Sequence, residues 1–462
     1  MKLKIFSVRT LPTVFVPLAL FLLPCLLCLS SCKKTDPAEL ERIARERDLL
    51  AHEQALTDYI ETLSPEQKIS QLFLVNVEGD SEYIPVEKTG ALFGNRDEGA
   101  ALVPGGCLLF SYNISDSAEK IRAYTDSIRR FYAENRLVPP YVAIDQEGGY
   151  VNRLRGITSN LVSQKKVTEW FSSERAFGLY AAQARQLHEL GIQMNLAPVV
   201  EVETDANRDF LHTRSFGSLE TVLEYGAAVV RAYEENGISV VLKHFPGNSN
   251  VDPHTGLPHI LFDEETEHDQ YFKPFEQLLP HAAAVLMSHA VVAPAHTDSP
   301  AQYETPACFS PYWVTQFVRE RCAFDGLIFS DDIFMGALAE NGFPPETAAV
   351  SALMAGVNCI MLSEKCFGEV AGVLLARSDE NAAATEPEKL FARQLSEKIA
   401  NSVRRVIAYK IKAGLLRFEK ATPDSSEKDP PPSYTVCAVS ELPPFDAEAF
   451  KTAYSDGMGF YK

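Results

Sequence analysis

The sequence lacks a basic excess. Its 43 Lys and Arg face 62 Asp and Glu, a formal charge of −19. A general nucleic-acid binder needs a positive footprint, so that class is excluded. Nine cysteines are present, but none of the six beyond residue 32 lies in a Cys-x-x-Cys pair. That spacing speaks against a structural zinc site and proposes no disulfide. Cys107, Cys322 and Cys359 sit in or beside apolar runs and read as small core residues. No internal repeat stands out, and beyond residue 31 no stretch is apolar enough to span a bilayer. What is present is 462 residues of 46% apolar composition. That is too apolar for a mostly disordered chain and long enough to bury a large core.

The first 31 residues differ from the rest. Lys2, Lys4 and Arg9 precede an apolar stretch from Leu11 to Leu29, and no Asp or Glu occurs. A basic start, an apolar middle and small residues at the end describe an export signal. Pro12, Pro17 and Pro24 interrupt the stretch, which disfavours a retained membrane helix. The closing Leu29-Ser30-Ser31-Cys32 resembles the bacterial lipobox, which implies that Cys32 is lipidated and becomes the mature N-terminus. The expectation is an exported protein, anchored by lipid on the periplasmic or cell-surface side of a bacterial membrane. Removal of residues 1–31, with three basic and no acidic residues, takes the charge from −19 to −22.

Residues 32–60 read as a lipidated N-terminus followed by a charged helical spacer. A new helix is expected at Ser64-Pro65-Glu66-Gln67, which has an N-cap, Pro at the first helical position and Gln three residues on. Eight short apolar runs then arrive in series: Leu72–Val75, Cys107–Phe110, Tyr141–Ile144, Met194–Val200, Val240–Phe245, Ala284–Met287, Leu327–Phe329 and Cys359–Leu362. Such continuous runs fit strands buried on both faces of a parallel sheet. Helical spacings separate most of them, as in 174–190 and in 219–236, with Gly237 as a stop. Ser310 is expected to cap a helix running toward Arg321. The series points to an α/β fold, a single (β/α)8 TIM-type barrel over 61–418 with insertions such as 76–104. A helix over 391–415 closes it, and 419–462 reads as a Pro-, Ser- and charge-rich C-terminal tail.

Functional residues of such a barrel gather at the C-terminal ends of its strands. Polar groups follow four of the runs here. Asp145-Gln146-Glu147-Gly148-Gly149 and Arg153 follow the third. An acidic loop and Arg214-Ser215-Phe216-Gly217 follow the fourth. Lys243-His244-Phe245-Pro246-Gly247 and then Asp252-Pro253-His254 belong to the fifth, and Ser330-Asp331-Asp332 ends the seventh. Any one of these has a plain structural reading: a strand-end Asp as a helix cap, a lone His as a hydrogen-bonded core residue, Arg214 and Lys243 as a salt bridge. Four strand ends of one barrel carrying acid, base and cation together point to catalysis instead. His289, after the sixth run, reads as a buried, hydrogen-bonded histidine.

These motifs, in this order and with Asn195-Leu196-Ala197-Pro198-Val199 and Met335-Gly336-Ala337 between them, resemble the β-N-acetylhexosaminidases of glycoside hydrolase family 3. The resemblance runs from about Ser64 to Leu416. It implies a retaining hydrolase that removes terminal β-linked N-acetylhexosamine from glycans or peptidoglycan fragments through a covalent glycosyl-enzyme. It implies Asp331 as the nucleophile and His254, held by Asp252, as the acid/base. It implies that Asp145, Arg153, Arg214, Lys243 and His244 hold the sugar. Asp332 is then a cap or an orienting group. Imidazole, with an ordinary pKa of about 6.5, can give and take a proton near neutrality. The reaction calls for no metal and no organic cofactor.

The sequence departs from the family pattern in two places. The run Asn248-Ser249-Asn250-Val251-Asp252-Pro253-His254 is about two residues shorter than usual and carries Pro253 in place of Ser. Tyr150 replaces the usual Arg after Gly-Gly. Two other readings remain open at this point. One is a β-glucosidase or β-xylosidase of the same family, whose acid generally comes from a following domain. The other is a lipid-anchored glycan-binding protein impaired in catalysis by the shortened loop. The implied partners are an N-acetylhexosamine-containing glycan and a membrane, with no nucleic acid. The sequence assigns no oligomeric state.

Overall fold

The structure, a computed structural model, describes residues 37–85, 102–253, 255–263, 265–296, 303–421, 431–439 and 443–462. Cys32, the expected signal segment and His254 lie outside the described residues. The chain divides into two units, Met1–Leu50 and Ala51–Lys462. The described part of the first is helical, within helix α1 (Pro37–Thr62). Helix α2 (Pro65–Ser70) opens on the expected capping box, with the Gln67 amide on Ser64 Oγ and the Ser64 amide on the Gln67 side chain.

All eight expected strands form, and they close into a parallel barrel in sequence order. They are β1 (Phe73–Asn76), β2 (Gly106–Leu109), β3 (Tyr141–Ile144), β4 (Met194–Asn195), β5 (Ser239–Phe245), β6 (Ala284–Met287), β7 (Leu327–Asp332) and β8 (Cys359–Ser363). Their side chains sort into two apolar clusters with the strand period of two. Leu74, Leu108, Tyr141, Ala143, Val241, Leu286, Leu327, Phe329 and Met361 fill the barrel interior. Phe73, Val75, Leu109, Val142, Ile144, Leu242, Val285 and Leu362 face the surrounding helices. Both faces are buried, which is why most of the runs read as continuously apolar.

The fourth run is shorter than expected. β4 stops at Asn195, and only an isolated bridge from Val199 to Lys243 continues the pairing. Pro198 has no amide hydrogen to offer a ladder. Helices form at Ser173–Glu189 and Leu219–Glu234, and Gly237 follows the second at φ +76°. From Pro311 the chain after Ser310 is helical, and Tyr312–Arg321 is wound with π-type bonding. The closing helix starts earlier than expected, at Glu386, on a Thr385/Glu388 capping box. Its Val406 and Tyr409, with Leu415 beyond it, join the interior cluster, and the Tyr409 ring meets Tyr141, the first residue of β3, edge-on at 5.4 Å. The N-terminal end of the barrel is thereby stoppered.

The segment expected as a tail is structured in its described parts. Leu416–Lys420 pairs antiparallel with Tyr434–Ala438. Helix Ala447–Gly459 lies on the barrel, with Gly457 against Ser159, Asp456 paired with Arg185 at 2.8 Å and Phe450 and Ala453 buried. No helix of the described residues is long and apolar enough to cross a membrane.

Candidate active site

In β3 and β5 the inward face continues past the apolar interior into polar residues. Val241 points inward, so Lys243, two residues on, does too; Ala143 does the same for Asp145. The two side chains meet across the mouth: Lys243 Nζ lies 2.7 Å from Asp145 Oδ1. Its second partner is Glu147, at 2.6 Å. Arg214 Nε and Nη2 each donate to one Glu147 oxygen at 2.8 Å. Arg153 Nη2 stands 3.6 Å from Asp145 Oδ2. Four of the five residues expected to hold a sugar therefore share one ion network.

Local structure after β3 positions the network. The Gln146 amide donates to Asn195 Oδ1 and its carbonyl accepts from Asn195 Nδ2, both at 3.0 Å. Gln146 Oε1 accepts the amides of Arg153 and Leu154. Gln146–Gly148 and Val151–Asn152 form a hairpin whose turn holds Gly148 and Gly149 at φ +97° and +59°. A Cβ on Gly148 would stand 2.4 Å from the Val162 carbonyl oxygen. The Gly-Gly pair is thus a backbone requirement of the hairpin that carries Glu147 and Arg153.

Charge is concentrated where water is scarce, which sets the titration behaviour. Burial pushes the Glu147 carboxyl up, but the Lys243 and Arg214 charges outweigh it and hold the group well below the usual carboxylate range. Burial pulls the Lys243 ammonium down, and Asp145 and Glu147 together raise it above its ordinary value. For Asp145, burial outweighs Lys243, Glu147 adds its repulsion, and the pKa is raised. One carboxylate is locked as an anion and its neighbour is easier to protonate.

His244 is held elsewhere. Its Nδ1 lies 2.6 Å from Glu201 Oε1, and both residues are buried. Glu201 also accepts the Asn248 amide at 2.7 Å and the Asn248 side-chain NH2 at 3.2 Å. It therefore fastens His244 and the root of the Asn248–His254 loop to the barrel. In that loop the Asp252 carbonyl accepts the amides of Thr255 and Gly256, so the chain turns tightly there. Neither Glu147 nor Glu201 was singled out from the sequence. Glu147 stood inside the quoted motif and Glu201 in the acidic loop after β4.

Asp331 is the penultimate residue of β7, where the register against β8 shifts between Phe329 and Asp332. Its Oδ1 accepts the Asp332 amide at 2.8 Å. Asp332 Oδ1 accepts the Phe334 amide at 2.9 Å, a turn-capping contact that fits the lesser role expected of it. His289 is buried as expected, with Nε2 3.0 Å from the Asp332 carbonyl and Nδ1 3.3 Å from Cys308 Sγ. A carbonyl only accepts, so Nε2 carries the hydrogen, and in the neutral ring the thiol donates to Nδ1. Burial, with the Asp331 charge adding to it, pushes the Cys308 thiol well above its ordinary pKa. That keeps it a neutral donor.

The chain is similar to known proteins over this region. It is 30% identical over 277 residues to "Beta-hexosaminidase A" of Pseudoalteromonas piscicida, matching 56% of this chain and 45% of that one. It is 31% identical over 268 residues to "Beta-hexosaminidase" of Hydrogenovibrio crunogenus, matching 56% of this chain and 71% of that one. Its fold resembles a glycoside hydrolase family 3 β-N-acetylglucosaminidase structure from Paenibacillus sp. str. FPU-7. There the TM-score is 0.64 at 24% identity, over 76% of this chain and 63% of that one. The first relative is thus spanned over less than half of its length. The profile described as "Glycosyl hydrolase family 3 N terminal domain" matches residues 65–421, the whole barrel with its closing helix, and the chain belongs to glycosyl hydrolase family 3.

Proposed function

We propose that this protein is a retaining exo-β-N-acetylhexosaminidase that removes terminal β-linked N-acetylglucosamine. One observation carries the reading. Asp145 and Lys243, paired at 2.7 Å, lie at the C-terminal ends of β3 and β5, and Asp331 lies near the C-terminal end of β7 in the same parallel barrel. A carboxylate and a set of hydroxyl-binding groups on one rim are what glycosyl transfer to a carboxylate requires.

In this reading Asp331 attacks the anomeric carbon. The glycosidic bond breaks as His254 gives its proton to the leaving oxygen. A sugar ester on Asp331 results; His254 then takes a proton from water, whose oxygen displaces Asp331. Asp252 orients the imidazole and favours its charged form. Asp145 accepts from a pair of sugar hydroxyls, while Lys243 and Arg153 donate to hydroxyl or acetamide oxygens. His244, its Nδ1 committed to Glu201, offers Nε2. Arg214 acts through Glu147, whose fixed charge keeps Lys243 in place.

Support for an N-acetylhexosamine substrate is the likeness to two relatives named for that activity, the second matched over 71% of its length. Peptidoglycan fragments as the natural source, export, and anchoring through a lipid on Cys32 belong to the same proposal and rest on the sequence motifs. The test is release of 4-nitrophenol from its β-N-acetylglucosaminide and its β-glucoside. Turnover of the first well above the second is expected. A preference for the glucoside overturns the substrate. Sugar binding with no turnover of either overturns catalysis in favour of a binding protein.

A further inference from the structure

The rim between β1 and β3 carries aromatic residues that the reaction above does not use. Phe110 follows β2 and packs on the barrel interior. The Arg153 guanidinium sits over its ring, 5.3 Å from the centroid. Arg153 Nε is buried without a hydrogen-bond partner among the described residues, and Nη2 reaches Asp145 only at 3.6 Å. The Phe110 ring thus holds Arg153 in place of a tight ion pair.

Tyr112 lies against the same ring. The two planes are 5° from parallel with centroids 5.9 Å apart. Tyr112 Oη accepts from Asn76 Nδ2 at 3.1 Å, and Asn76, the last residue of β1, is itself held by the Glu364 amide at 3.2 Å. The ring is therefore fixed from two sides, yet 49% of the residue is exposed. Exposure also grades along this arc. The Glu147 and Lys243 side chains are 1% and 4% exposed, and those of Asp145 and Arg153 are 21% and 25%. The series runs from a closed floor to an open rim, and Tyr112 stands at its open end.

We infer that Tyr112 is the stacking platform for the first sugar of the leaving group, and that Phe110 is the positioning residue that aims Arg153 at the sugar being cleaved. The inference rests on the exo-hexosaminidase reading. In an exo-acting site the terminal sugar fills the closed end, so everything outward of it is leaving group. A pyranose presents an apolar C–H face, which packs on an aromatic ring. A ring already fixed by Phe110 and Asn76 loses little freedom on binding.

The test compares wild type, Tyr112→Ala and Tyr112→Phe on two substrates. One is the β-linked N-acetylglucosamine disaccharide. The other is the β-fluoride of N-acetylglucosamine, which has no leaving sugar. For Tyr112→Ala, kcat/KM on the disaccharide should fall about tenfold, the worth of one aromatic contact, with the fluoride within about twofold. Tyr112→Phe, which keeps the ring, should stay within about threefold on both. Equal losses on the two substrates overturn the inference and give Tyr112 a general structural role. No loss on either overturns it as well. Wild type that cleaves neither substrate overturns the hexosaminidase reading itself, and this inference with it.

Discussion

Glu147→Gln is the most informative single change. Gln keeps the shape but removes the charge that Lys243 meets at 2.6 Å and Arg214 at 2.8 Å. Lys243 would keep Asp145 as its carboxylate partner, while Arg214 would lose the carboxylate to which two of its nitrogens donate. Removing one partner of a buried pair costs about 3–5 kcal/mol, because the remaining charge has no counterpart. At about 2.1 cal/mol/K per residue, the roughly 400 residues of the larger unit have an unfolding entropy near 0.85 kcal/mol/K. The midpoint should therefore drop by about 4–6 °C in a thermal melt at pH 7. The sign with pH follows from the native group, whose pKa is held well below the usual range. A depressed carboxyl contributes stability above its unfolded pKa of about 4.3 and loses it as pH falls toward the folded value. The gap between wild type and Glu147→Gln should be full at pH 7 and narrow below about pH 4. Lys243 should also shift toward Asp145, lowering kcat/KM at least about tenfold. A melt within 1 °C of wild type at pH 7, with kcat/KM within twofold, would refute the reasoning.

Two further outcomes are expected. Lys410 is wholly buried, with its ammonium on Gln71 Oε1 at 2.5 Å, and burial pushes its pKa down to about 7. Between about pH 10 and 7 the unfolded chain takes up a proton that the folded one refuses, so this group makes stability fall as pH drops across that window. Lys410→Met should remove that slope and raise stability at pH 7 by about 1–3 kcal/mol in chemical denaturation, net of the orphaned Gln71 oxygen. An unchanged slope would contradict it. His254→Ala should lower turnover of the disaccharide far more than that of an activated aryl glycoside, because protonation matters most for a poor leaving group. Equal losses on the two would remove His254 from the acid role.

The barrel was legible because parallel strands buried on both faces leave continuous apolar runs, and each of the eight became a strand. Their ends were less legible. Met194–Val200 is apolar but for Asn195, yet Pro198 cannot donate to a ladder, so composition overstates β4. The ion network was legible only by half. Asp145 and Lys243 stood out by residue type at strand ends, and Arg214 in the run that follows the fourth strand. Glu147 and Glu201 did not, because a glutamate at a strand end reads alike whether solvated or buried. Their partners are far along the chain: Arg214 is 67 residues from Glu147, and His244 is 43 from Glu201. The terminal helix was legible in principle, since Phe450, Ala453 and Gly457 recur at spacings of three and four and face the barrel. The Pro- and Ser-rich stretch before it masked that signal.

The central claim is that Asp331 becomes covalently bound to sugar during each turnover. A 5-fluoro derivative of N-acetylglucosaminyl fluoride slows both chemical steps by disfavouring positive charge on the ring, while its good leaving group keeps formation of the intermediate ahead of its hydrolysis. Intact-mass spectrometry of the treated enzyme, followed by peptide mapping, reads the adduct. The account predicts one sugar per chain, carried on the peptide of β7 at Asp331 and absent from Asp331→Ala. An adduct on another residue, or turnover of the reagent by Asp331→Ala at the wild-type rate, would contradict it.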